Sequence, residues 1–434
     1  MTEAMARRKR RTSTAHWRNL AALCLLLAVF VGLTVAILLR PATATLFYPT
    51  TLEELTARRE STDNAAHLFN VALNTLQGTV SYAPYKAYFE AMGESYYENV
   101  LKGVKTPLPP DDAMPPAATF REDFAPVMEK LQAAVEKPYF LFAQSYNLVS
   151  LDRPVLYTPL LQFLRAAVLR ALEEHDYAEA ARRHVLLVRT ARLLNQEGIP
   201  NLYTVWEIWS WKTLSTFLGE LNDEPTLAAL ENTLQSLQPS IVPRTQVLEH
   251  FWRTLDSSLI SPVSGVPIRW RIGFRFFIRE FWESTDEVQK DRQVIEQTIE
   301  KPVLEAVRAY PRLQEEEGDP ESRWRHRNVW HSLPRVLHES ARAELAQVGT
   351  RVLLAIRRYY LARSAYPETL AALQPDFCSS LPSDPFTGNG LEYKRTETEI
   401  CVYSRGLDEQ DNGGQEGADI VAGCMRLAPV PPST

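Results

Sequence analysis

Residues 160–195 read LLQFLRAAVLRALEEHDYAEAARRHVLLVRTARLLN, and this stretch decides the fold class. Leu161, Leu164, Val168 and Leu172 recur at the steps that gather side chains on one face of a helix. His175-Asp176-Tyr177 makes a tight connection, and residues 178–195 return as a partner helix. Such an αα-hairpin must bury its apolar stripe against further helices. The sequence therefore predicts a mainly α protein with a helical-bundle/αα-hairpin body.

Within the hairpin, EEHDYAEAARRHVLLVRTARLL resembles the inter-helix turn and second helix of a tetratricopeptide repeat. The resemblance implies that Tyr177 packs against small residues such as Ala180 and Ala181. No second copy recurs at a fixed period, and stacked repeats need about three, so one αα-hairpin in a bundle is the preferred reading.

Helical spacing continues on both sides of the hairpin. Upstream, Leu52, Leu55, Ala65, Leu68, Phe69 and Leu73 follow it, and the proline-rich run TPLPPDDAMPP at residues 106–116 breaks it as an exposed loop. Downstream, VWEIWSW at residues 205–211 sets three tryptophans where core packing is expected. Residues 222–238 and 242–255 continue as helices. Residues 268–282, IRWRIGFRFFIREFW, place Trp270, Phe274, Ile278 and Trp282 in one row and Arg271, Arg275 and Arg279 beside it. That pattern suits either an interfacial membrane helix or, preferably, a domain helix. Residues 315–322 form a charged linker, and a long helix is expected over residues 336–362.

At the N-terminus, residues 20–39 read LAALCLLLAVFVGLTVAILL, without a charge or a proline. A helix of that length is about 30 Å long, the thickness of a bilayer's hydrocarbon core. Arg7, Arg8, Lys9, Arg10, Arg11 and Arg18 precede it and only Arg40 follows closely, which predicts a cytoplasmic N-terminus. The competing reading is a signal peptide cleaved after Ala42-Thr43-Ala44; the length of the apolar run favours a retained anchor. Either way the bulk of the chain is expected outside the cytoplasm; with the anchor retained, the expected location is a bacterial inner membrane, single-pass, with the bulk of the chain periplasmic. Residues 1–44 hold seven of the 47 basic and one of the 53 acidic residues, so the rest carries a net charge of −12. An acidic body argues against non-specific nucleic-acid binding, which depends on neutralising phosphates.

Besides Cys24, the cysteines Cys378, Cys401 and Cys424 all lie near the C-terminus. An oxidising compartment permits one disulfide and one free thiol among them, with the pairing left open. No H-E-x-x-H, G-x-S-x-G, Walker loop, G-x-G-x-x-G or C-x-x-C occurs. His326, His331 and His338 are spaced by five and seven residues, which does not set all three on one helical face.

The tail has a different texture. A helical turn is expected at residues 370–373, a compact proline-glycine loop at 381–388, and short strands at 391–394 and 399–404. A glycine-rich loop follows over residues 404–420, SRGLDEQDNGGQEGADI. This region resembles the C-terminal part of the major pseudopilins of type II secretion. The matching positions are Tyr366, Pro367, Leu381, Pro382, Asp384, Pro385, Ser404, Gly406, Asp408, Gly413, Gly414, Ala418, Asp419 and Ile420. In that family the loop holds a structural calcium ion, and the resemblance implies that Asp408 and Asp419 are ligands. The residues also keep part of a calcium-loop register through Asp408, Asn412, Gly413 and Asp419, with Glu416 available through water. The expected metal set is therefore Asp408, Asn412, Glu416 and Asp419, for Ca2+. The prepilin cleavage signal is absent, so a polymerising pilin is not expected.

These readings divide the chain into residues 1–44 (basic tail and anchor), 45–335 (helical domain) and 336–434 (long helix and small α+β module). The expected function is a membrane-anchored interaction or scaffold protein with an envelope protein partner. One alternative is an accessory component of a type II secretion or pilus-like system; another is an envelope enzyme without a recognisable motif.

Overall fold

The computed structural model describes residues 57–58, 60–87, 117–141, 156–195, 204–237, 297, 301–309 and 324–427. The chain divides into two units, Met1–Leu55 and Thr56–Thr434. The described α-helices of the second unit are α1 (Ala66–Gln77), α2 (Ala117–Val135), α3 (Thr158–Glu173), α4 (Tyr177–Leu194), α5 (Thr204–Phe217), α6 (Glu224–Gln235), α7 (Val303–Ala309) and α8 (Trp324–Arg363). Strands β1 (Glu392–Arg395), β2 (Glu399–Ser404) and β3 (Ile420–Arg426) form one antiparallel sheet in that order.

The hairpin that decides the fold class is α3–α4. Helix α3 starts with a proline in its first turn, where the missing N–H costs nothing. It ends in a left-handed residue: His175 has φ +57°, its N–H bonds the Leu172 carbonyl, and the Asp176 N–H bonds the Ala171 carbonyl. That pair of bonds is a Schellman stop. Asp176 then caps α4 by accepting from the Glu179 N–H at 3.0 Å. One residue thus closes one helix and opens the next.

Helices α1 and α2 pack on each other and on the hairpin. Their core is aromatic: Tyr85, Phe120, Phe124 and Phe163 stack or tilt together, and Phe69, Phe140 and Tyr157 form a second group. Trp206, Trp209 and Trp211 are all buried, as core packing required. Arg165 lies over the Trp209 ring at 4.1 Å.

The small sheet is clamped to the helical body by close backbone approach. β3 packs on α5 and α8. A Cβ on Gly423 of β3 would stand 2.7 Å from the Ser215 hydroxyl of α5, and one on Gly349 of α8 would overlap Ala422. Larger side chains at either position would hold the layers apart. Arg357 of α8, buried, donates to the Leu221 carbonyl, to Asn222 Oδ1 and to the Tyr366 hydroxyl, tying α8 to the start of α6 and to the Tyr366-Pro367 turn.

One expectation is corrected. No helix among the described residues is long and apolar enough to cross a membrane. The physical reason is charge: α4 carries Glu179, Arg182, Arg183, Arg189 and Arg192, and α8, though 40 residues long, carries Arg342, Arg351, Arg357 and Arg358. Among the described residues the fold class is therefore helices with a small antiparallel sheet and no transmembrane helix, and nothing there supports the single-pass inner-membrane location. Residues 20–39, on which that expectation rested, lie outside the described residues, as do residues 106–116, 242–255, 268–282 and 315–322.

Candidate functional site

The residues singled out as metal ligands all fall on the loop joining β2 to β3. Ser404 ends β2, donating to Asp384 Oδ2 at 2.6 Å and accepting from the Gly406 N–H. Asp384 is buried in the Pro-Gly loop and also accepts from the Phe386 N–H and the Thr387 hydroxyl. The LP.DPF.G segment is therefore the footing of the glycine-rich loop.

Two carboxylates shape the loop from within. Asp419, 2% exposed, accepts from the Asn412 N–H at 3.0 Å and from the Gly414 N–H at 2.7 Å. Gly413 and Gly414 take φ of +69° and +73°, conformations that L side chains rarely adopt, and these turn the amides inward. Asp411 accepts from the Gly413 N–H and from the Tyr403 hydroxyl, both at 2.9 Å, and these bonds hold its carboxyl below the usual range. The Tyr403 phenol is pushed up, first by burial and then by its bond to Asp411.

The rim is tied to the body by cations. Lys394 Nζ donates to the Gly413 carbonyl at 2.7 Å, Arg308 of α7 pairs with Glu409 at 2.5 Å, and Lys212 of α5 pairs with Glu416 at 2.9 Å. Burial lowers the Lys212 pKa, while Glu416 acts to raise it.

Two of the four expected ligands, Asn412 and Asp419, meet each other, and Asp408 and Glu416 have partners elsewhere. Asp408 Oδ1 accepts from the Gln410 N–H at 3.1 Å, Asn412 gives its backbone N–H to Asp419, and Glu416 faces Lys212. The trio of His, Cys, Asp or Glu side chains among the described residues whose ligand atoms lie together is Glu399, Cys401 and Cys424, within 4.8 Å of one another. There Cys401 and Cys424 are joined as a disulfide, and Cys378 is the free thiol.

Among the described residues of the helical body, one serine lies against a histidine in nucleophile–base fashion. His184 Nδ1 lies 2.6 Å from Ser210 Oγ, and its ring meets Trp211 edge-on at 4.3 Å. Both side chains are fully buried, and burial, aided by the Arg192 charge, pushes His184 down to about 3. Arg192 beside it pairs with Glu207 at 2.5 Å and donates to Gln347 of α8. With no exposed atom to meet a substrate, the pair serves to join α4 and α5. The His338 ring packs on Phe386; the side chains of His326 and His331 lie outside the described residues.

No family model, curated protein or solved structure matches this chain. The loop between β2 and β3 is the part of the molecule whose chemistry bears on function. Sequence reasoning missed its cationic partners Lys212 and Arg308, which lie more than a hundred residues away along the chain. It also left the cysteine pairing open; recognising residues 420–426 as a strand would have set Cys424 opposite Cys401.

Proposed function

We propose that the Thr56–Thr434 unit is an interaction scaffold that presents the loop at residues 405–418 to a partner protein rich in basic side chains. The observation that carries this reading is an exposed acidic loop with a fixed shape: Asp408, Glu409 and Asp411 sit at the surface, while Asp419 and the three cations hold the backbone beneath. A preformed surface loses little conformational entropy on binding, and its charge selects partners of opposite sign. The Cys401–Cys424 disulfide suits work in an oxidising compartment.

The test is affinity capture by the full-length protein against a variant with Asp408→Lys, Glu409→Lys and Asp411→Lys. A partner retained by the first and lost by the second, with the circular dichroism spectrum unchanged, supports the reading. Identical capture by both proteins overturns it. Capture of a pseudopilin would narrow the role to an accessory component of a secretion machine, the role that the tail's resemblance suggests.

A further inference from the structure

The disulfide lies beside a carboxylate, and that neighbourhood has a use of its own. Cys401 and Cys424 are directly paired across β2 and β3, with Cα atoms 4.1 Å apart. Glu399 stands two residues before Cys401 on the same strand, hence on the same face of the sheet. Its backbone is fixed: its N–H donates to Thr396 Oγ1 at 3.0 Å, and its carbonyl accepts from the Thr396 N–H at 2.8 Å. No side chain among the described residues binds its carboxylate, and Arg426, opposite it in register, is exposed so that its charge is solvated.

We propose that reduction of this disulfide creates a zinc site made of the Cys401 and Cys424 thiolates and the Glu399 carboxylate. Two thiolates about 2.3 Å from a tetrahedral zinc stand about 3.8 Å from each other. Directly paired strand residues reach that separation by side-chain rotation, since their Cβ atoms are about 4.5–5.5 Å apart. The three ligand atoms already lie within 4.8 Å of one another, so the strands need not move. Glu399 and Cys424 are partly exposed, which gives the ion a way in and leaves a fourth position for water.

The chemistry balances with a dithiol as the reductant. Two thiol–disulfide exchanges pass two electrons and two protons to the pair, leaving Cys401 and Cys424 as thiols and the dithiol as a cyclic disulfide. Zinc then displaces one proton from each thiol and binds the two thiolates. Reoxidation by a disulfide runs the two exchanges in reverse: the two thiolates give up two electrons and form the S–S bond, the reagent disulfide takes them with two protons from solvent to become its dithiol, and the ion is expelled. The site therefore exists in one redox state only, and metal release reports oxidation.

The experiment uses full-length protein carrying Cys24→Ser and Cys378→Ser, so that only the paired thiols remain. The protein is reduced with a phosphine, the phosphine is removed, and the protein is titrated with zinc against a chromophoric chelator, with cadmium as a second probe for thiolate charge-transfer absorption. The expected result is one zinc per reduced chain and none per oxidised chain. Cys401→Ser should abolish uptake. Glu399→Gln, which leaves the disulfide and the strands intact, should weaken it about tenfold or more, as loss of a group that supports a metal typically does. Equal uptake by oxidised and reduced protein, no uptake by the reduced protein, or unchanged affinity in Glu399→Gln each overturns the proposal.

Discussion

Gly349 of α8 and Ala422 of β3 meet so closely that a Cβ on the glycine would overlap the alanine methyl. In an exposed helix interior, glycine to alanine gains about 1 kcal/mol of helix propensity. Here the added methyl has no room, and overpacking a buried contact costs about 1–3 kcal/mol. Gly349→Ala should therefore lower stability, the reverse of the propensity rule. Gly390, with nothing within 4 Å of its added Cβ, is the control. Chemical denaturation of both variants checks this: a Gly349→Ala protein as stable as Gly390→Ala would show that the sheet does not press on α8.

His184 links stability to pH. The buried imidazole takes a proton only near pH 3, because burial disfavours its charged form, whereas the unfolded imidazole does so near 6.5. Between those values the unfolded chain binds more protons, so stability rises with pH across the window and falls on acidification. The slope contributed is at most about 1.4 kcal/mol per pH unit. His184→Asn should remove that component from melting curves taken between pH 4 and 7. A pH dependence identical in both proteins would mean that His184 is not buried as a neutral ring.

How much of this was legible depends on the range of the interaction. The α3–α4 hairpin, the turn at Leu370–Leu373 and strands β1 and β2 are local patterns, and periodicity or turn chemistry finds them. Strand β3, IVAGCMR, escaped because Gly423 interrupts its run of larger side chains, and glycine has low strand propensity. Its reason for being there is the approach of Ser215, more than two hundred residues earlier. At the loop, Asp408, Asn412, Glu416 and Asp419 were found as oxygen-bearing side chains, but oxygen count does not say where each one points. Asp419 turns to backbone amides and Glu416 to Lys212, partners that no spacing within the loop reveals.

Asp419 should be the loop's main internal support. Removing its carboxylate leaves the Asn412 and Gly414 N–H groups without their acceptor, at about 1–3 kcal/mol if the loop stays closed. Asp419→Ala should therefore melt earlier and be cut by protease within residues 405–418 faster than wild type. Asp419→Asn, which keeps one acceptor oxygen, should fall between them. Equal proteolysis of all three proteins would assign the loop's shape to its glycines and rim cations instead.

Lys212 and Glu416 give the last test, because the two halves of the pair are unequally buried. The Lys212 side chain is 9% exposed and that of Glu416 38%. Taking the anion away strands a buried ammonium, whereas taking the cation away leaves a carboxylate that water can reach. Glu416→Gln should cost about 1–2 kcal/mol, below the roughly 3–5 kcal/mol of a fully buried pair because Glu416 is partly solvated. Lys212→Met, which keeps the apolar stem and removes the charge, should be neutral or stabilising. The folded pKa of Lys212 is lowered, chiefly by burial, so in the alkaline range just below its unfolded value the unfolded chain holds more protons and stability rises with pH. Lys212→Met should flatten that rise. Denaturant titrations at pH 7 and in mildly alkaline buffer measure both effects. A Lys212→Met protein less stable than Glu416→Gln would show that the ammonium gains more from its partner than it loses to burial.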